Sequence, residues 1–279
     1  MTHDLLAKRQ ALLDRLQSLG NCLVAFSGGV DSAVVAKAAH LALGDQAIAV
    51  TATSPSLASG ELDTAREVAA RIGIRHEVIA TDEFANADYT ANDPRRCYHC
   101  KTELYTRLDG LLERFHATAI VNGANLDDTG DYRPGMQAAA EHAVLSPLAE
   151  CGFHKEDVRS LAAEWDLPVW DKPASPCLSS RVAYGEQVTP ERLRMIDLAE
   201  QHLRELGLRE VRVRYHRGDL ARIEVPPSEL VRMADPQIRE PLVRRLTELG
   251  FKFVTLDLIG FRSGSLNTLV PVEMLTPKR

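Results

Sequence analysis

The run Asn21-Cys22-Leu23-Val24-Ala25-Phe26 passes without a spacer into Ser27-Gly28-Gly29-Val30-Asp31-Ser32, and helical apolar spacing follows from Asp31 to about residue 43. A buried strand that turns through glycines straight into a helix leaves few folds open. Glycine permits φ > 0 and close backbone approach, and the first turn of the helix offers unpaired N–H groups at the positive end of its dipole. Such a turn cradles an anion, above all a phosphate. It lacks the lysine of G-x-x-x-x-G-K-[ST] and the spacing of G-x-G-x-x-G.

The pattern around this loop repeats. Apolar runs at 46–51, 75–80 and 118–121 alternate with helical spacings at 59–72, 97–115 and 154–165. That alternation predicts an α/β domain, a parallel sheet covered by helices, over residues 1–170. In such sheets ligands lie at the carboxyl ends of the strands, so Thr53, with Ser54, and Gly123 are candidate adenine contacts. Residues 171–189 have no period and read as a linker or active-site loop carrying Cys177. From 190 to 279 the texture is a smaller α+β domain: a Thr189-capped helix, a hairpin at 210–216 and 220–225, helices at about 227–234 and 236–249, and a strand at 250–256.

Alternation in the hairpin puts Val211, Val213 and Tyr215 on one face and Arg212, Arg214 and His216 on the other, where the partner strand adds Arg222 and Glu224. Arginine forks suit phosphate and carboxylate, and the chain holds 26 arginines among its 33 basic residues. The same pattern also fits a solvated face with cross-strand ion pairs. Glu200, on the preceding helix, reads as a surface carboxylate rather than a metal or substrate ligand.

Net charge is −6 over 279 residues, with 45% hydrophobic and 26% charged residues. This balance is that of a globular protein and argues against a nucleic-acid-backbone binder. No apolar run is long enough to span a membrane and the first ten residues lack a signal-peptide stretch, so a cytoplasmic protein is expected. Of five cysteines, Cys97 and Cys100 form a C-x-x-C at a helix start and Cys177 lies in Pro176-Cys177-Leu178-Ser179-Ser180-Arg181. A three-thiolate [4Fe-4S] cluster, a zinc site, a redox dithiol and unrelated thiols all fit that spacing. Cys22 and Cys151 read as structural.

The SGGxDS loop resembles the PP-loop of ATP pyrophosphatases, in the adenine nucleotide alpha-hydrolase-like fold, which split ATP into AMP and pyrophosphate. That resemblance implies that Ser27, Gly28, Gly29, Val30 and Ser32 hold pyrophosphate and that Asp31 approaches Mg²⁺. With Arg96-Cys97-Tyr98-His99-Cys100-Lys101, Asn122 to Asp128, Asp131 to Gly135 and the Cys177 motif, nearly the whole chain resembles LarE. This is the ATP-dependent sulfurtransferase family of nickel-pincer nucleotide cofactor biosynthesis.

The resemblance implies a small-molecule nucleotide substrate, a pyridinium biscarboxylic acid mononucleotide. Its carboxylate is activated by ATP as an acyl-adenylate and converted to a thiocarboxylate. It also implies substrate contacts at Arg212, Arg214, Glu224 and Arg262, to which the basic Arg181 beside the sulfur is added. Members with three matching cysteines are similar to cluster enzymes; with Cys97, Cys100 and Cys177 all present, a [4Fe-4S] type is expected, and a sacrificial Cys177 is the alternative. A homo-hexamer is implied as well. A PP-loop tRNA thiolase, a non-catalytic nucleotide sensor and a GMP-synthetase-like enzyme are the rival readings.

Overall fold

The computed structural model describes residues 3–128 and 134–262. Asp131, Tyr132 and Arg133 of the 131–135 motif, and Ser263 and Gly264, lie outside the described residues. The first half contains α1 (His3–Gln17), β1 (Cys22–Ala25), α2 (Val30–Leu43), β2 (Ala47–Thr53), α3 (Glu61–Ile72), β3 (Arg75–Ala80), α4 (Ala87–Thr90), α5 (Arg96–Leu112) and β4 (Ala119–Val121). The second contains α6 (Pro134–Glu141), α7 (Pro147–Glu150), α8 (Lys155–Glu164), α9 (Pro190–Glu205), β5 (Arg212–His216), β6 (Leu220–Glu224), α10 (Leu230–Ala234), α11 (Pro236–Glu248) and β7 (Phe253–Leu256). The chain divides into two compact units. One contains the chain up to Ser54, Ser59–Glu83 and Cys97–Ser175; the other contains Pro55–Ala58, Phe84–Arg96 and the chain from Pro176 onward.

In the first unit the strands pair in the order β3-β2-β1-β4, all parallel. The central strands are continuous apolar runs because both faces are covered, as parallel sheets require. Val24 and Ala49 pack with Leu12 and Leu16 of α1, Val34 of α2 and Leu161 of α8. Leu23, Ile48 and Val50 pack with Tyr105 and Leu108 of α5 and Ala138 of α6. From β1 the chain steps outward through β2 to β3 and then returns to add β4 on the other side of β1. The strand order therefore reverses between β1 and β4, and the crevice at their carboxyl ends is where such a sheet takes its ligand.

The second unit is built on the sheet β5-β6-β7, with β5 and β6 antiparallel and β7 parallel to β6. Val211, Val213 and Tyr215 are buried, as are Leu193, Ile196, Ala199 and Leu203 along one face of α9. Thr189 caps that helix by accepting from Arg192 N at 3.3 Å, with Pro190 in the first turn. The last strand begins at Phe253, later than the apolar run suggests, because Phe251 is buried beforehand and Lys252 N donates to Asp219 O.

Two short excursions from the first half of the chain also belong to this unit, and no periodicity announces them. Asn92 is fully buried at φ 58°, a left-handed conformation that asparagine tolerates. Its amide donates to Ala183 O and Glu186 O, each at 2.9 Å, and to Val182 O, and its Oδ1 accepts from Arg96. Tyr89 OH hydrogen-bonds Ser56 Oγ at 2.6 Å and Ser179 Oγ at 2.7 Å. These buried polar groups knit three stretches of chain into one unit. Asn92→Ala should cost about 3 kcal/mol in urea denaturation, since it strands several buried acceptors at once. Asn92→Gly, which keeps the backbone conformation, should lose nearly as much if the amide is what matters.

Candidate functional site

The glycine loop sits at the carboxyl end of β1. A Cβ on Gly28, at φ 71°, would stand 2.8 Å from the Cα of Ala65 in α3, and one on Gly123 would stand 2.7 Å from Ser32 N. Loop, α3 and the segment after β4 are thus packed backbone to backbone. Gly29 caps α2 without a side-chain hydrogen bond, which leaves the first turn of that helix without a protein cap. The two serines brace the loop from inside: Ser32 Oγ donates to Gly29 O at 3.0 Å and lies 3.1 Å from Ser27 Oγ, while Ser27 N donates to Ser32 Oγ at 3.2 Å. Thr51 Oγ1 fixes the strand end by donating to Phe26 O at 2.8 Å. Val30 is the first residue of α2, and Thr53 ends β2 with its hydroxyl donating to Ile79 O at 3.1 Å.

Asp31 is held on both oxygens. Asn125 Nδ2 donates to Oδ1 at 3.1 Å, and Lys155 Nζ donates to Oδ2. Asn125 is itself buried, its Oδ1 accepting from Asp127 N at 3.0 Å. Asp127 in turn accepts from Lys155 N and from His154 Nδ1, each at 2.7 Å, and these contacts hold its carboxyl below the usual carboxylate range. The segment after β4 is therefore wired to the start of α8 as well as to the loop. Lys155 is a site residue that sequence reading missed; it lies 124 positions from Asp31, and no spacing rule connects them. The backbone cradle fits a nucleotide's phosphates, and the Asp31 carboxylate is the hard oxygen donor that Mg²⁺ prefers.

Cys97 is exposed and Cys100 half-buried in the first turns of α5, three positions apart and so on neighbouring positions of one helical surface. Cys177 is exposed in the second unit, just before a short turn of helix over Leu178–Arg181. Among the described residues no three His, Cys, Asp or Glu side chains form a group that could hold a metal ion. Cys22 is buried in β1, and burial pushes its thiol up to about 12. Cys151 is half-buried and also raised, by burial and then by Glu150.

In the second unit Arg181 is 1% exposed and Glu200 0%. Arg181 Nε donates to Glu200 Oε1 at 3.0 Å and Nη2 to Oε2 at 3.3 Å. Its Nη1 donates to the carbonyls of Pro176 and, at 2.9 Å, Cys177. Arg181 thus grips the loop that presents Cys177. Glu200 is not the surface carboxylate expected from sequence: it also accepts from Val213 N at 3.1 Å and Arg204 Nη2 at 2.8 Å. Its partner Arg181 lies across a patternless linker, which is why helical spacing alone misplaces it.

The hairpin register sets Arg212 opposite Glu224 and Arg214 opposite Arg222. Glu224 is fully buried and binds Arg214 Nη2 at 2.8 Å and Arg222 Nη1 at 2.9 Å, so this face carries cross-strand ion pairs but is not solvated. Arg212 packs over the Phe261 ring at 5.2 Å. Burial and then repulsion from Arg181, against attraction from Glu200, bring its guanidinium down to about 10, still charged at neutral pH. Arg262 lies 3.9 Å from Asp257, which also pairs with Arg222.

A glycine cradle at the switch point of a parallel sheet, with an aspartate at the start of its helix, defines a PP-loop ATP-using domain. The asparagine synthase family model matches residues 4–110. The chain is 46% identical over 264 residues to an uncharacterized protein of Synechocystis sp., covering 95% of this chain and 98% of that one. It is 39% identical over 275 residues to the pyridinium-3,5-bisthiocarboxylic acid mononucleotide synthase of Lactiplantibacillus plantarum, covering 98% of both. A tRNA-specific 2-thiouridylase of Azorhizobium caulinodans is 32% identical over 213 residues, 62% of this chain and 54% of its own. The chain belongs to the LarE family of PP-loop enzymes. Among the described residues no helix is long and apolar enough to cross a membrane.

Two outcomes follow from this geometry. Gly123→Ala should abolish ATP binding measured by calorimetry while leaving the fold intact by circular dichroism, because its Cβ meets the Ser32 backbone rather than a flexible side chain. Iodoacetamide at pH 8, followed by peptide mass mapping, should modify Cys97 and Cys177 in the native protein but reach Cys22 only after denaturation. The raised Cys22 thiol stays protonated at that pH and only the thiolate reacts.

Proposed function

We propose that this enzyme uses ATP to activate a carboxylate of a pyridinium-3,5-biscarboxylic acid mononucleotide and replaces its oxygen with sulfur, forming a thiocarboxylate for a nickel-pincer nucleotide cofactor. The observation that carries this reading is the pairing, in one chain, of a glycine-built anion cradle with exposed cysteines. A carboxylate is a poor electrophile. Attack of one of its oxygens on the α-phosphorus of ATP breaks the α–β phosphoanhydride bond, releases pyrophosphate and leaves an acyl-adenylate. A sulfur nucleophile then adds to the acyl carbon and AMP departs with the bond's electron pair.

The protein's part is charge and position. Loop N–H groups from Gly28 to Ser32 suit the pyrophosphate, with Thr53 and Gly123 toward adenine. Asp31 would hold Mg²⁺, which neutralises phosphate charge as it develops. Arg212, Arg214, Glu224 and Arg262 are the residues we assign to the substrate's phosphate and second carboxylate, for which arginine forks are suited. Arg181 serves the reaction by fixing the backbone of Cys177.

For the sulfur we favour a [4Fe-4S] cluster held by Cys97, Cys100 and Cys177; when bound it supplies a non-protein sulfur donor at its open iron. The donor set fits in its chemistry. Within the second unit Arg96, the residue before Cys97, donates to the carbonyl of Ser179 at 2.8 Å, two residues beyond Cys177. By resemblance the enzyme is a cytoplasmic homo-hexamer. The test is anaerobically reconstituted protein incubated with ATP and the biscarboxylate mononucleotide, followed by nucleotide chromatography and product and intact-protein mass. AMP and thiocarboxylate, with protein mass unchanged and about four irons per chain, are expected. Loss of one sulfur from Cys177 would instead make that residue a sacrificial donor, and absence of substrate-dependent AMP would overturn the reading.

A further inference from the structure

The glycine loop differs from the P-loop in having no lysine of its own, yet a lysine ammonium stands at its helix start. Lys155 Nζ meets Asp31 Oδ2, and all of the groups concerned belong to the first unit. The backbone of Lys155 is fixed: it is the first residue of α8, and its N–H donates to Asp127 at 2.7 Å. Its side chain is only half-buried, 37% exposed, and ends on a carboxylate 26% exposed. An ion pair so open to water is weakly held and readily exchanged. Asn125 meanwhile keeps the other oxygen of Asp31 in place at 3.1 Å.

We propose that Lys155 is a phosphate ligand of the nucleotide site, stored on Asp31 until a divalent cation takes that carboxylate. The inference rests on the adenylation reading. A carboxylate that passes to a metal gives up its ammonium partner, and the ammonium, on a flexible four-carbon stem, then lies beside a cradle filled with phosphate oxygens. It adds a full positive charge to a site whose remaining donors are backbone N–H groups and serine hydroxyls. No covalent bond forms to Lys155, and its protons stay on the nitrogen. The charge opposes the negative charge that collects on pyrophosphate as it leaves, so Lys155 favours the β and γ phosphates and is indifferent to AMP.

The test is equilibrium calorimetry on the full chain with Mg²⁺, using the non-hydrolysable α,β-methylene analogue of ATP and, separately, AMP. Lys155→Met should weaken the ATP analogue by about tenfold or more while leaving AMP within about twofold, as expected for one lost charge-assisted contact. Lys155→Arg should recover most of the analogue's affinity. Unchanged affinity for the analogue, or an equal loss for the analogue and AMP, would overturn the assignment, the second by showing a merely structural role. A wild-type protein that binds neither nucleotide would instead defeat the adenylation reading and this inference together.

Discussion

Backbone-to-backbone contact at two glycines governs the rest of the first unit. With Gly28 lodged against Ala65 and Gly123 against Ser32, the loop lies directly on α3 and on the segment after β4, and a methyl group at either position would have to push backbone aside. The helix start is held open by serines that brace from within rather than by a capping side chain that would fill it. A loop held by backbone contacts to the sheet's own connections has little room to move. As the phosphate site we propose, it would need no reorganisation when charge develops, the condition under which fixed dipoles contribute most to a reaction.

The second unit solves a different problem, that of holding cations close together away from water. Arg181, Arg214 and Arg222 share two fully buried glutamates, Glu200 and Glu224, and a buried pair broken on one side leaves an uncompensated charge that costs about 3–5 kcal/mol. The glutamates serve both ends: they neutralise the arginines and aim them. Glu200 also receives a strand N–H from Val213, so the charge network and the sheet are one structure. Such a frame presents Cys177 on a backbone whose carbonyls are already engaged.

What could be read from the sequence was whatever lies close along it. The strand, loop and helix of residues 21–43 are contiguous, so glycine chemistry and apolar periodicity identify both the fold class and the anion cradle. The hairpin's faces likewise follow from alternation, which puts Arg212 and Glu224 on the same side; their register, opposite one another, comes from the structure. Asn92, Lys155 and Glu200 were illegible or misread for one shared reason. Each acquires its meaning from a partner far along the chain, Asn92 from residues 182–186, Lys155 from Asp31, and Glu200 from Arg181 across a linker without period. A polar residue between helix-forming neighbours looks like surface until such a partner is placed beside it.

The three-piece composition of the second unit also sets a timetable for the chain's birth. Phe84–Arg96 leaves the ribosome some 80 residues ahead of Pro176, where the rest of its unit begins. At ordinary elongation rates that is a wait of roughly ten seconds. During it the first unit can complete its sheet, while Tyr89 and Asn92, buried in the folded protein, lack the Ser179 hydroxyl and the 182–186 carbonyls they are to bind. The excursions that knit the second unit are thus made well before the rest of the unit they belong to.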